Sequence, residues 1–152
     1  MANQVEKKLR PSQFDLLQNE TFLLLSTYSH EQASPMVNAI SWVYAVDDST
    51  LVFAVHHRSV IVENILQSPS VVLTLIDDES TYSIKGHASV LTKEMTGLPL
   101  KLAKVQVEIT EVRDVMFYGA KISKGPDYDK TYDPKAAARL DLQVMEHLKS
   151  HE

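Results

Sequence analysis

The sequence has 152 residues, 44% hydrophobic and 23% charged, with a formal net charge of −5. That suits one globular domain over residues 1–152 with a core of its own, and the scattered Lys and Arg argue against a nucleic-acid partner. There is no cysteine, which excludes disulfides and thiolate chemistry; no apolar run reaches the roughly 18 residues of a membrane span, and "MANQVEKKLRPSQF" lacks a signal-peptide core, so a cytoplasmic protein is expected.

Pro11-Ser12 before "QFDLLQ" predicts a short helix, with Ser12 as a candidate cap. Thr21–Ser29 reads as an apolar strand and "HEQAS" as a turn. Pro35–Val46 reads as one long strand ended by "DDST", with "LVFAVHH" (Leu51–His57) as its antiparallel partner. Ser59 to Gln67 predicts a short helix capped by Ser59, broken before Pro69 and followed by a strand over Val71–Ile76. After the turn "DDES", Thr81–Leu91 alternates, with Tyr82, Ile84, Gly86, Ala88 and Val90 on one face. Gly86 in that row predicts a bulge or a close backbone approach.

"AKVQVEITEVRDVMFY" is a further alternating strand, with Val105, Val107 and Ile109 in one row, and "GAKISKGPDYDKTY" is a loop of turn formers. Asp133 as N-cap and Pro134 at the first helical position open a C-terminal helix over "KAAARLDLQVMEHL". Strands joined by tight turns pair antiparallel, and a sheet with little helix to cover it tends to close on itself. The expected fold is mainly β: a six-stranded antiparallel barrel with a few short helices and a C-terminal helix.

No GxSxG, GxGxxG or P-loop pattern occurs. His56 and His57 are adjacent on a strand and point to opposite faces, without an HExxH or HxH spacing, so no metal site is expected. Arg58-Ser59 stands at a helix start, where unpaired N–H groups and the helix dipole suit an anion such as a phosphate. A plain N-cap beside a solvated arginine accounts for the same residues. Ser41, Trp42 and Tyr44 belong to a core, to a dimer contact, or to an aromatic wall beside a planar ring. Lys85, Gly86 and His87 flank a ligand or simply form the wet face of a strand.

Taken in order, "LVFAVHHRS", "VIVENILQSPSVVLTL" and "SIKGHASVL" set Ser59, Asn64, Ile65, Pro69, Val71, Gly86 and Ala88 in sequence. That order resembles the pyridoxamine 5′-phosphate oxidase-like, FMN-binding split-barrel family over Thr21 to Tyr118. The resemblance implies a six-stranded split barrel, a homodimer with FMN in clefts at the interface, and a small FMN-dependent oxidoreductase of unknown substrate. The flavin phosphate would lie near Arg58, Ser59 and the helix start, and the isoalloxazine against the Pro35–Val46 and Leu51–His57 strands. Candidate cofactor-binding residues are then Asn38, Ser41, Trp42, His56, His57, Arg58, Ser59, Val60, Asn64 and Lys85. No catalytic residue stands out, and His57 and Lys85 are the candidates for proton transfer.

The sequence also departs from the family pattern. Ile61 occupies the position of an expected lysine, and the strand before the turn carries Asn38, Ile40, Trp42 and Tyr44 where basic residues are common. Arg58, His56 or a lysine of a partner chain would have to replace that charge. The C-terminal substrate signature of true pyridoxamine phosphate oxidases is absent, so vitamin B6 oxidation is not expected. The rival reading is a degenerate split barrel without flavin chemistry, binding haem or a deazaflavin or serving as a stress-related binding protein. A third is a plain barrel making partner contacts through Trp42 and Met116-Phe117-Tyr118.

Overall fold

The computed structural model describes residues 5–150. In chain order the elements are β1 (Val5–Glu6), α1 (Pro11–Leu16), β2 (Leu23–Ser29), β3 (Ser34–Ile40), β4 (Val43–Asp47) and β5 (Thr50–His56). They continue with α2 (Val60–Gln67), β6 (Ser70–Asp77), β7 (Ser80–Thr92), β8 (Leu102–Asp114) and α3 (Pro134–Lys149). The strands form one antiparallel sheet in the order β3-β2-β6-β7-β8-β5-β4, with β1 added to β8.

The mainly β antiparallel class is as expected, but the described strands number eight rather than six. The additions are the two-residue β1 and a break in the strand expected over Pro35–Val46, which is β3 and β4. Only β4 pairs with β5; β3 pairs with β2. At the break the Ser41 carbonyl accepts the Thr21 N–H at 3.1 Å and the Val43 N–H at 3.0 Å, and the Trp42 carbonyl accepts from Ala54 N–H at 3.0 Å. β3 and β4 are opposite edges of the sheet order, yet only Ser41 and Trp42 separate them along the chain. The sheet therefore curls until its edges meet at that corner, without a described ladder joining them, which is a split barrel.

Strand alternation fills the interior. Leu23 and Leu25 of β2, Phe53 of β5, Leu73 and Leu75 of β6, Ile84 of β7 and Val107 of β8 are fully buried in one cluster. Burying one side chain of this size contributes about 1.5–3 kcal/mol. Ile61, Val62 and Ile65 of α2 join the same cluster. The apolar run of β5 has a second explanation: Val52 and Ala54, on its other face, pack with Val144, Met145 and Leu148 of α3. A strand covered on both faces loses its polar alternation.

Local chemistry sets the ends of the elements. Asp133 Oδ2 accepts the Ala136 N–H at 3.2 Å, with Pro134 next to the cap, as expected for α3. At α1 the N-cap is Arg10 rather than Ser12, because Pro11 takes the first helical position. Its N–H donates to Gln13 Oε1 at 2.9 Å. Between β6 and β7, Asp78 and Glu79 hold φ of 52° and 61°, the paired left-handed conformation of a tight hairpin turn. Among the described residues no helix is long and apolar enough to cross a membrane.

Candidate functional site

A cleft of about 430 Å³ opens beside the Ser41-Trp42 corner, between β3, β5 and the start of α2. At its helical end Ser59 has extended backbone, and its Oγ accepts the Ile61 N–H at 3.1 Å. A serine hydroxyl has one donor and two acceptor sites. Capping uses one acceptor, so the O–H proton remains to be given to a ligand.

His56 lines the same end, and its Nδ1 accepts the Arg58 N–H at 3.2 Å. In the neutral ring this places the proton on Nε2. His56 thus offers the cleft a donor rather than a lone pair. Ile61 also lines the cleft, but it is only 4% exposed and belongs to the core cluster. Where the family pattern leads one to expect an ammonium, this wall is apolar.

The opposite end holds a polar network that the sequence did not disclose. Lys130 and Tyr132, from the loop before α3, line the cleft with Ser41 and Trp42. The Lys130 ammonium donates to Glu20 Oε2 at 2.8 Å and to Asp141 Oδ1 at 3.0 Å. Glu20 Oε2 also accepts from Ser41 Oγ at 2.6 Å, and Asp141 Oδ1 from Trp42 Nε1 at 2.8 Å. Lys130 Nζ stands 5.7 Å from the centroid of the Trp42 ring. Burial pulls the lysine pKa down, but hydrogen bonds to Glu20 and Asp141 outweigh it and hold it above the usual value. Tyr128, beside them, is raised by burial and by the charge of Glu20.

Asn38, on β3, adds an uncompensated group to the cleft wall: its Oδ1 is buried and has no hydrogen-bond partner. A buried acceptor without a donor costs about 1–3 kcal/mol.

The structure thus brings Asn38, Ser41, Trp42, His56 and Ser59 of the candidate residues to one cleft. It does not bring the others there. His57 and Arg58 line a second depression of about 600 Å³ on the far side of α2, which Ser59 also borders. In that depression His57 Nδ1 lies 3.5 Å from Glu94 Oε1. Asn64 is buried, donating to Thr27 Oγ1 at 3.0 Å and to Met36 Sδ at 3.6 Å, so it joins α2 to β2 and β3. Val60 is half-buried and borders neither opening. Lys85 is exposed on β7, opposite Val72 of β6 and Glu111 of β8. Lys130 itself left no periodic signal, since loop residues are placed by tertiary partners; the only hint was Tyr, Asp and Lys crowded into "PDYDKTY".

Comparison with solved structures gives the same fold. A candidate pyridoxamine 5′-phosphate oxidase from Lactobacillus delbrueckii superposes with a TM-score of 0.62 at 21% identity, covering 74% of this chain and 98% of its own. HutZ, the haem storage protein of Vibrio cholerae, gives 0.53 at 13% identity, covering 72% and 96%. An F420 reductase gives 0.53 at 21% identity, covering 63% and 91%. No curated protein matches the sequence. The sequence pattern of the pyridoxamine 5′-phosphate oxidase family matches residues 9–110, which include β2 to β7 and most of β8 but not Lys130, Tyr132 or α3. With that match over most of its length, the chain belongs to the pyridoxamine 5′-phosphate oxidase family.

Proposed function

We propose that the cleft at the split of the barrel binds FMN and that the protein is a small FMN-dependent oxidoreductase. The observation that carries this reading is the unfilled bonding capacity of a cleft in a chain of this family. Asn38 Oδ1 is buried there without a donor, and the Ser59 hydroxyl keeps its proton. A bound flavin supplies hydride or single-electron transfer at its ring. The protein's own part is to hold and orient it: Ser59 O–H and His56 Nε2–H face the phosphate, with the positive end of α2 behind them. Trp42 would give the ring an apolar wall at the other end of the cleft.

The working unit of this reading is a homodimer. Its support is the depression on the far side of α2, where Leu66 is 64% exposed beside Val62 and Val90. A second copy would cover Leu66 and bring its own groups toward Arg58 and His57.

The test is the absorbance spectrum of the purified protein, followed by thermal unfolding with saturating FMN. Flavin absorption is expected, together with a higher melting temperature; a ligand at about 100 times its Kd stabilises by about 2.7 kcal/mol. A Soret band in place of flavin absorption would move the cleft to haem. No colour, and no shift in melting with FMN, would remove the flavin reading.

A further inference from the structure

Lys130 lies outside the residues that match the family, yet it lines the cleft with residues that lie inside them. An ammonium has three N–H donors and no acceptor. Two are engaged, one with Glu20 and one with Asp141. The side chain is therefore fixed in place with one donor still available. Its surroundings decide what that donor can take. Glu20, Asp141 and Lys130 together carry one net negative charge, which repels a phosphate of charge about −1.5 to −2. A neutral carbonyl oxygen or a ring nitrogen meets no such repulsion. The phosphate-type donors, Ser59 and His56, are supplied by α2 and the end of β5, whereas Lys130 stands over the Trp42 indole at the corner.

We propose that Lys130 is a binding residue for the cofactor's ring rather than for its phosphate, so that the C-terminal segment forms part of the site. This inference rests on the FMN reading and deepens it. The pyrimidine portion of a flavin presents carbonyl oxygens, and reduction of the ring adds negative charge along that edge. Set against the two carboxylates alone, the ammonium lessens their repulsion of that charge, so the reduction potential is higher with Lys130 than without it. The lysine missing at position 61 is thus not replaced like for like: the cation has moved from the phosphate end of the cleft to the ring end.

Titration of the full chain with FMN and with riboflavin, which lacks the phosphate, separates the possibilities. Lys130→Met is expected to weaken both ligands by a similar factor, about tenfold for the loss of one charge-assisted hydrogen bond. It should also shift the midpoint potential of bound FMN to more negative values, and Lys130→Arg should return the potential toward that of the unsubstituted protein. A loss for FMN that spares riboflavin assigns Lys130 to the phosphate and overturns the proposal. Equal losses with an unchanged potential make Lys130 a fastener of the loop, which also overturns it. If the unsubstituted protein binds neither ligand, the FMN reading fails and this inference with it; binding of FMN with riboflavin affinity indifferent to Lys130→Met sinks this inference alone.

Discussion

Gly86 shows how far a single residue can be read. Its place in an inward-facing row pointed to a bulge or a close approach, and both occur. The β7–β8 register shifts between Lys85 and Gly86, and a Cβ at Gly86 would stand 2.3 Å from the Glu108 carbonyl oxygen and 2.7 Å from Val107 Cγ1. A backbone carbonyl in a paired strand cannot turn aside as a flexible side chain can. Gly86→Ala should therefore destabilise the protein by about 3 kcal/mol, read as a lower urea midpoint. Gly125→Ala has no neighbour within 4 Å of the added methyl and is the control, expected within about 0.5 kcal/mol. Equal midpoints for the two variants would mean that β8 yields at Glu108. Lys130 is the opposite case. Its partners Glu20 and Trp42 come from the far end of the chain, and no period or spacing links a loop lysine to them.

At the scale of elements, α2 was legible because its signals are local: a serine cap, an apolar face and a proline two residues beyond its end. The break between β3 and β4 was not. "AISWVYAV" contains no Gly, no Pro and no turn dipeptide, and its residues favour strands. What divides it is closure of the sheet, a property of the whole ladder order rather than of those residues. The double duty of Ser59, as cap and as ligand donor, can be separated experimentally. Glycine serves as an N-cap at a cost of only a few tenths of a kcal/mol relative to serine. Ser59→Gly should thus leave the urea midpoint almost unchanged while weakening FMN severalfold and riboflavin little. A variant that loses stability but keeps its FMN affinity would return Ser59 to the role of a plain cap.

Across the whole molecule, several protonated groups are held by contacts between distant segments. Tyr82 of β7 has its pKa raised mainly by burial, against the opposing charge of Arg10, whose Nη1 donates to its hydroxyl at 3.0 Å. Tyr128 is raised by burial and then by Glu20. Lys130 is raised because Glu20 and Asp141 outweigh its own desolvation. One pair of contacts fastens residues before β2 to the sheet, and the other fastens the loop before α3 to the cleft. In each case the folded protein binds its proton more tightly than the unfolded chain does. Stability is then fully present below the unfolded values, near 10.0 for tyrosine and 10.5 for lysine, and falls as pH rises through the folded ones. Urea unfolding in steps above about pH 9 should show the midpoint declining once tyrosine and lysine begin to titrate in the unfolded chain. Tyr82→Phe and Tyr128→Phe each remove one such proton, so each should flatten the decline even where it lowers the starting stability. If both variants keep the full alkaline slope, the linkage lies elsewhere, and the two tyrosines are held by packing alone.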